Sequence, residues 1–462
     1  MTSLLGVVLL MVVGLPLGFA LTRALPLALV LAPLAGAMVT AVAVIPMLIF
    51  GGPLLVWVAA VLVLTGFLAW RLRDRPRAPH GSWRDALLLT VPLTPPFLPI
   101  FQQPTSWDAH FIWWLHAGYF AEGGGFARDA IGSQALAFSH QDYPPLASSA
   151  VALVWQTFGT RDFYPAGIVT GVVTFAATAA VVYAVRLVTA SGPALVSWPA
   201  AIAVGYSAFS PLWLVPTAGF SDAMCATAFA AGTVLLLFGR EPFDRRILPL
   251  TMLPLCSAAL MKNEGLSMVV ALAVVGSVKY RRSLRQVGWT WLPVAAAGVW
   301  SVTARVLGAR TDVLAGGRFG ELLHGDPDTV GRFPVILSTM AGRVDRVVGF
   351  AAAAAVLGML VLRRRRREFG LAGDLWLWAV AALYWAALTL IYMVTPMPLR
   401  WHLSTSVDRV LISIVVLACA SAACWAVVAW HRPAVADGPP AGNPAIAGAG
   451  GQEGAAVTTA TV

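Results

Sequence analysis

Between Trp107 and Leu146 the chain gathers Asp108, His110, His116, Glu122, His140 and Asp142 among Trp107, Trp113, Trp114 and Tyr143. The rest of the sequence is mostly apolar. In a membrane, ionisable groups stand only where water, a partner charge or a substrate solvates them. Asp108 follows an apolar run. A carboxylate at such a boundary, partly desolvated beneath aromatic rings, gains basicity and suits removal of a proton from a hydroxyl. The same position suits a helix N-cap, and both readings stand. His140, Asp142 and Tyr143 form H-x-D-Y-P-P, whose two prolines stiffen the backbone into the next helix. Asp142 is placed there to bind a metal or a sugar hydroxyl, and His140 a phosphate. A capping turn is the plainer alternative.

Three further clusters interrupt apolar runs. Lys262, Asn263 and Glu264 stand between two of them. Lys262 and Glu264 there either snorkel to water, or Lys262 pairs with an anionic ligand and Glu264 positions it or a sugar. Asp222, in G-F-S-D, opens a helix as a cap or sits at the rim of a cavity. Arg400, His402 and Arg409 follow a Thr-Pro-Met-Pro turn, and arginine forks match phosphate geometry. Pairing of Arg409 with Asp408 is the structural alternative. Cys225, Cys256, Cys419 and Cys424 lie in apolar runs without metal-ligand spacing and read as small hydrophobes. The Gly123–Gly125 run follows no strand, so it reads as a flexible hinge and not as a phosphate loop.

The elements that must position these residues are membrane spans. Of 462 residues, 59% are hydrophobic and 11% charged, against about a quarter charged in a soluble domain. The composition specifies an all-α polytopic membrane protein. Apolar runs of about 20 residues predict about thirteen spans, near 3–22, 27–49, 53–70, 86–104, 163–185, 195–214, 222–239, 246–261, 264–278, 288–304, 346–362, 374–394 and 409–430. The fourth is proline-rich and predicts a kink or an unwound turn. Segments 109–120 and 146–158 are too short to cross and read as surface helices in an outer loop over 105–162, with another expected in 305–345.

Basic residues fix the orientation. Arg23, the run at 71–77, Arg186, Arg240 to Arg246, the run at 279–285, five arginines at 363–367 and Arg432 fall on alternate connections. By the positive-inside rule that side is cytoplasmic. The N-terminus is then outside, the C-terminus inside, and the chemistry on the extracytoplasmic face of the plasma (inner) membrane. The first apolar segment lacks a basic start and a cleavage site, so it reads as a retained span. Residues 433–462, rich in proline, alanine and glycine, read as a disordered cytoplasmic tail.

The motifs W-D-A-x-x-x-W-x-x-x-A (Trp107 to Ala117), H-x-D-Y-P-P-L (His140 to Leu146), G-F-S-D (Gly219 to Asp222), K-N-E-G (Lys262 to Gly265) and S-x-D-R (Ser406 to Arg409) resemble, in order and placement, the GT-C superfamily of membrane glycosyltransferases. The likeness is to bacterial relatives of the protein O-mannosyltransferase and aminoarabinose-transferase group, glycosyltransferase family 39. It covers residues 85–432, leaving 1–84 as extra N-terminal transmembrane helices. The resemblance implies a GT-C-like fold and an inverting transfer of a hexose or pentose, such as mannose or arabinose, for cell-envelope glycans. The donor would be a polyprenyl-phosphate sugar and the acceptor a hydroxyl on a glycan, lipid or protein. Asp108 would be the base, with Asp142 the other candidate. Trp107, His140, Tyr143, Asp222, Lys262, Asn263 and Glu264 would contact substrate, and Arg400, His402 and Arg409 the donor phosphate. No nucleotide cofactor is expected, and a divalent cation stays open.

The competing reading is a transporter or flippase of a lipid-linked saccharide. Transporters bury ionisable groups near the midplane of repeated halves, whereas here they gather at one face and no repeat is visible. A structural envelope subunit is a third reading. The partners expected are membrane lipids and the substrates; no nucleic-acid module is present.

Overall fold

The computed structural model describes residues 2–97, 106–189, 219–239, 241–311, 318–361 and 373–430, and every regular element among them is helical. The chain opens with α1 (Thr2–Thr22), α2 (Leu25–Phe50) and α3 (Leu54–Arg71). α1 and α2 cross backbone to backbone. A methyl group on Gly14 would lie 1.9 Å from the Ala32 carbonyl oxygen, and one on Gly36 2.3 Å from that of Leu10. Only glycine permits that approach. α3 turns Val63, Leu64 and Phe67 outward, a face suited to lipid tails.

The proline-rich span expected over 86–104 is broken. α4 (Trp83–Thr90), started by a Ser82–Asp85 capping box, gives way to a 3-10 turn at Val91–Leu93 and one last helical turn at Thr94–Phe97. Pro92 and Pro95 supply no backbone N–H, which explains the change of winding. Residues 98–105 lie outside the described residues.

A π-helix (Ala109–Trp113) leads into α5 (Trp114–Glu122), followed by α6 (Gly124–Gly132), a 3-10 turn (Gln134–Ser139) and α7 (Leu146–Phe158). Two expectations change here. Leu146 to Trp155 are all buried, so α7 is packed inside the bundle against α2, α5 and α8 (Phe163–Val188), not laid on its outside. Its first residues, Leu-Ala-Ser-Ser-Ala, are small enough for neighbours to approach on every side. The glycine run is no hinge: Gly124 N–H donates to the Gly52 carbonyl (2.9 Å), and a methyl on Gly124 would meet the Met47 carbonyl oxygen at 2.1 Å. These glycines let the loop press against the α2–α3 turn.

The second half comprises α9 (Asp222–Phe238), α10 (Leu248–Ala259), α11 (Asn263–Lys279), α12 (Leu284–Val306), α13 (Arg332–Val361), α14 (Asp374–Val394), α15 (Leu399–Val410) and α16 (Ile412–Trp430). Short helices at Arg318–Leu323 and Pro327–Val330 occupy the connection before α13. α13 begins well before the expected position 346. Every residue of α9 is buried, the place for a helix that is apolar all round. Among the described residues, six helical segments are long and apolar enough to cross a membrane by length and composition: α1, α2, α3, α8, α14 and the joined α15–α16. α10, with 12 residues, is too short to cross alone. The span expected at 195–214, the arginines at 363–367 and the tail at 433–462 lie outside the described residues.

One body spans Met1–Trp430, and α1 to α3 pack into it against α7 and α8. Basic connections meet at one of its ends: Arg23 donates to the Arg73 carbonyl (2.6 Å), and Arg186 pairs with Asp85 (2.5 Å). The acidic and aromatic turns meet at the other.

Candidate active site

The site is built from three turns. The first is the H-x-D-Y-P-P segment. His140 has φ +53, a left-handed conformation that ends the 3-10 turn, and the Tyr143 N–H then donates to the His140 carbonyl (2.8 Å). After the two prolines, the Leu146 N–H donates to the Leu260 carbonyl (2.9 Å), tying this turn to the end of α10. Asp142 is held twice: Asn263 Nδ2 donates to its Oδ2 (2.7 Å) and Trp300 Nε1 to its backbone carbonyl (2.8 Å). The Tyr143 ring stacks on Trp113 (5.3 Å) and on His140 (4.9 Å). Desolvation pushes its phenol well above the ordinary range, and the Glu264 carboxylate adds to the effect.

The second turn is Lys262-Asn263-Glu264, at the start of α11, where acidic groups favour the helix dipole. Lys262 is buried and does not snorkel. Its ammonium bridges Asp222 (2.7 Å) and Glu264 (3.0 Å). Burial pushes its pKa down, but the carboxylates of Asp222 and Glu264 more than offset this and hold it well above the usual lysine range. The Lys262 charge is therefore committed within the protein.

The third turn, Gly219 to Asp222, lies against the π-helix. Gly219 has φ +87, and a methyl on it would come within 2.7 Å of the Ala109 Cβ and 3.0 Å of the Trp114 ring. This close seat brings Asp222 towards Asp108. Asp108 stands at an N-cap position without capping through its side chain. Its carboxylate instead accepts from the Arg409 guanidinium, which also lies 4.5 Å above the Phe220 ring. Asp408 pairs with Arg343 (3.4 Å), not with Arg409. Asp108, Arg409, Asp222, Lys262 and Glu264 thus form a continuous charged seam.

In front of this seam lies a cavity of about 470 Å³ whose polar wall includes His140, Asp142, Glu264, Arg305, Tyr392 and His402. His402 Nδ1 shares a hydrogen bond with Thr395 Oγ1 (2.9 Å), and Tyr392 Oη one with Ser406 Oγ (2.8 Å). Arg305, exposed near the end of α12, enters no ion pair among the described residues. The arrangement sets carboxylates for hydroxyl protons and hydrogen bonds opposite a guanidinium for an anion.

No family model, no curated protein and no solved structure matches the chain.

Of the residues picked from sequence, Asp142, His140, Tyr143, Asn263, Glu264 and His402 line the cavity. Asp108, Asp222, Lys262 and Arg409 belong to the seam behind it. Arg409 is engaged by Asp108 and is not presented to the cavity as a free phosphate ligand. Trp107, 53% exposed, stacks on Phe111, and Arg400 is exposed; neither lines the cavity. Sequence reading missed Arg305, Trp300 and Tyr392. For Arg305 a signal existed: it is a cation on the side where the basic bias runs the other way. His116 is a structural pin. It is fully buried, bonded through Nε2 to the Ser139 carbonyl (2.9 Å), and burial lowers its pKa to about 3 against the opposing pull of that carbonyl. Among the described residues no three His, Cys, Asp or Glu side chains form a metal-holding group.

Proposed function

We propose that the chain is an integral membrane glycosyltransferase that moves a sugar from a polyprenyl-phosphate donor to an acceptor hydroxyl in the 470 Å³ cavity. The observation that carries this reading is the placement of Asp142 and Glu264 in the same cavity as Arg305 and His402. A sugar transfer of this kind needs a base for the acceptor and a cation for the departing phosphate. Asp142 is the better base than Asp108, because Asp108 lies behind the wall and is bonded to Arg409. Asn263 fixes the Asp142 carboxylate, which takes the hydroxyl proton as the acceptor oxygen bonds to the anomeric carbon. The bond from that carbon to the phosphate oxygen breaks, and its electron pair leaves with the lipid phosphate. Arg305 and His402 receive the phosphate, and Glu264 binds sugar hydroxyls. Attack from the face opposite the leaving group inverts the anomeric centre. The cavity faces the extracytoplasmic side in this reading, with the arginine-rich end in the cytoplasm.

The test is transfer from a panel of radiolabelled polyprenyl-phosphate sugars in membranes. Asp142→Asn, which keeps a carbonyl acceptor but takes no proton, should lower turnover on the order of 100-fold or more with donor binding retained. Arg305→Gln should weaken donor binding. Full activity of Asp142→Asn together with loss in Asp108→Asn would transfer the base role to Asp108. Wild-type protein that transfers from no donor, yet moves a lipid-linked saccharide across vesicles, would replace the enzyme by a flippase.

A further inference from the structure

At the arginine-rich end of the body lies a second and larger chamber, about 910 Å³, walled by α1, α2, α3, α10 and α12. Its wall has two chemistries. Arg75, Arg245 and Arg285 come from the connections that end α3, precede α10 and begin α12, so all three stand at its outer end. Leu253 and Cys256 on α10, with Trp289 and Leu292 on α12, carry the wall inward. From Arg285 to Leu292 that descent is roughly 10 Å at the helical rise. Leu68 and Leu292 are 38% and 39% exposed, so the chamber opens sideways to whatever surrounds the bundle.

The three arginines are only partly compensated. None enters an ion pair among the described residues, and the nearby carboxylate of Asp244 is occupied by Arg246 (Nε at 3.0 Å). Burial depresses the Arg75 guanidinium below its ordinary pKa; Asp244 opposes this and Arg245 adds to it. Three like charges held together with one carboxylate, Asp244, shared between Arg75 and Arg246, over an apolar slot open to the side, match one occupant. Guanidinium forks bind a phosphate, and the slot takes a hydrocarbon chain that a soluble phosphate would leave unfilled.

We infer that this chamber binds an anionic membrane phospholipid, its headgroup phosphate among Arg75, Arg245 and Arg285 and an acyl chain along α10 and α12. The site lies at the end of α12 opposite to Arg305 and is independent of the glycosyl-transfer reading. A basic pocket between membrane helices is a recognised setting for lipid headgroups.

The test uses the full-length protein, delipidated in mild detergent and offered equal amounts of dioleoyl phosphatidylglycerol and dioleoyl phosphatidylcholine, with retained lipid counted by native mass spectrometry. One phosphatidylglycerol per chain should be retained over phosphatidylcholine. Arg75→Gln/Arg245→Gln/Arg285→Gln should weaken retention roughly 100-fold, at the usual contribution of a basic residue near anionic lipid. Arg71→Gln/Arg77→Gln/Arg84→Gln removes the same charge from exposed positions outside the chamber and should change little. Equal loss in both variants, or equal retention of the two lipids, would overturn a specific site. Displacement of the lipid by glycerol 3-phosphate at the same concentration would overturn the role of the apolar slot. Should the first variant fail to fold, Leu253→Trp decides, since it fills the slot and leaves the arginines in place: lost phosphatidylglycerol supports the site and full retention overturns it.

Discussion

Lys262 is the residue on which the charged seam turns. It pairs with the buried Asp222 and the half-buried Glu264, and neither Asp222 Oδ2 nor Glu264 Oε2 has a hydrogen-bond partner among the described residues. Lys262→Met would leave Glu264 without its cation and Asp222 with only the more distant Arg409, and breaking a buried pair in this way costs ~3–5 kcal/mol. The expected result is a large fall in the unfolding midpoint in detergent, with partial recovery in Lys262→Met/Asp222→Leu. At this scale the sequence showed which side chains were exceptional but not what each would meet. The K-N-E-G interruption was visible, yet whether Lys262 served a ligand or a neighbour depended on Asp222, forty positions away. His116 and Asp142 looked alike as ionisable groups in one aromatic stretch. One is walled in and bonded to a carbonyl, the other lines a cavity, and only the folded loop separates them.

At the scale of elements, α9 shows how a buried helix end is closed. Its last carbonyls have no partners in their own helix. Lys279 Nζ donates to the Leu237 carbonyl (2.5 Å) and Tyr280 Oη to that of Leu236 (2.5 Å), both from the end of α11. Lys279→Met/Tyr280→Phe keeps most of the packing and removes both donors. The expected cost is about 2–4 kcal/mol, from two acceptors left buried without partners, read as an earlier chemical unfolding transition. Helix positions were largely legible because each apolar run announces itself. The break at Pro92 and Pro95 was legible for the same reason, since proline acts through its own backbone. The burial of α7 was not: Leu146 to Phe158 has the length and composition of a surface helix, and what encloses it is the packing of α2, α5 and α8, set by residues far along the chain.

At the scale of the whole molecule, α12 runs from one chamber to the other. Arg285 lines the first and Arg305 the second, and the helical rise separates them by roughly 30 Å, the thickness of a hydrocarbon core. In a background with the four native cysteines replaced, Arg305→Cys should react with a membrane-impermeant thiol reagent added to intact cells. Arg285→Cys should react only after the membrane is opened. The reverse pattern would invert the orientation. The sorting of polar residues to two ends could be foreseen, because loop charge is a property of the local sequence. The chambers could not, because each is made by side chains from several distant helices.

The crossing of α1 and α2 also has a meaning in time. Gly14, Ala32 and Gly36 all precede α3 in the chain, and their contact is made between α1 and α2 alone. A growing chain emerges N-terminal part first, so this hairpin can form while α7 and α8 are still unmade. Gly6, on the same hairpin, later receives Val154 of α7 so closely that a methyl there would lie 2.9 Å from its Cγ1. The hairpin is then the template on which the buried part of the first loop docks. A bulky residue at Gly14 would act during synthesis, by denying the later helices a surface to land on, before there was a finished bundle to destabilise.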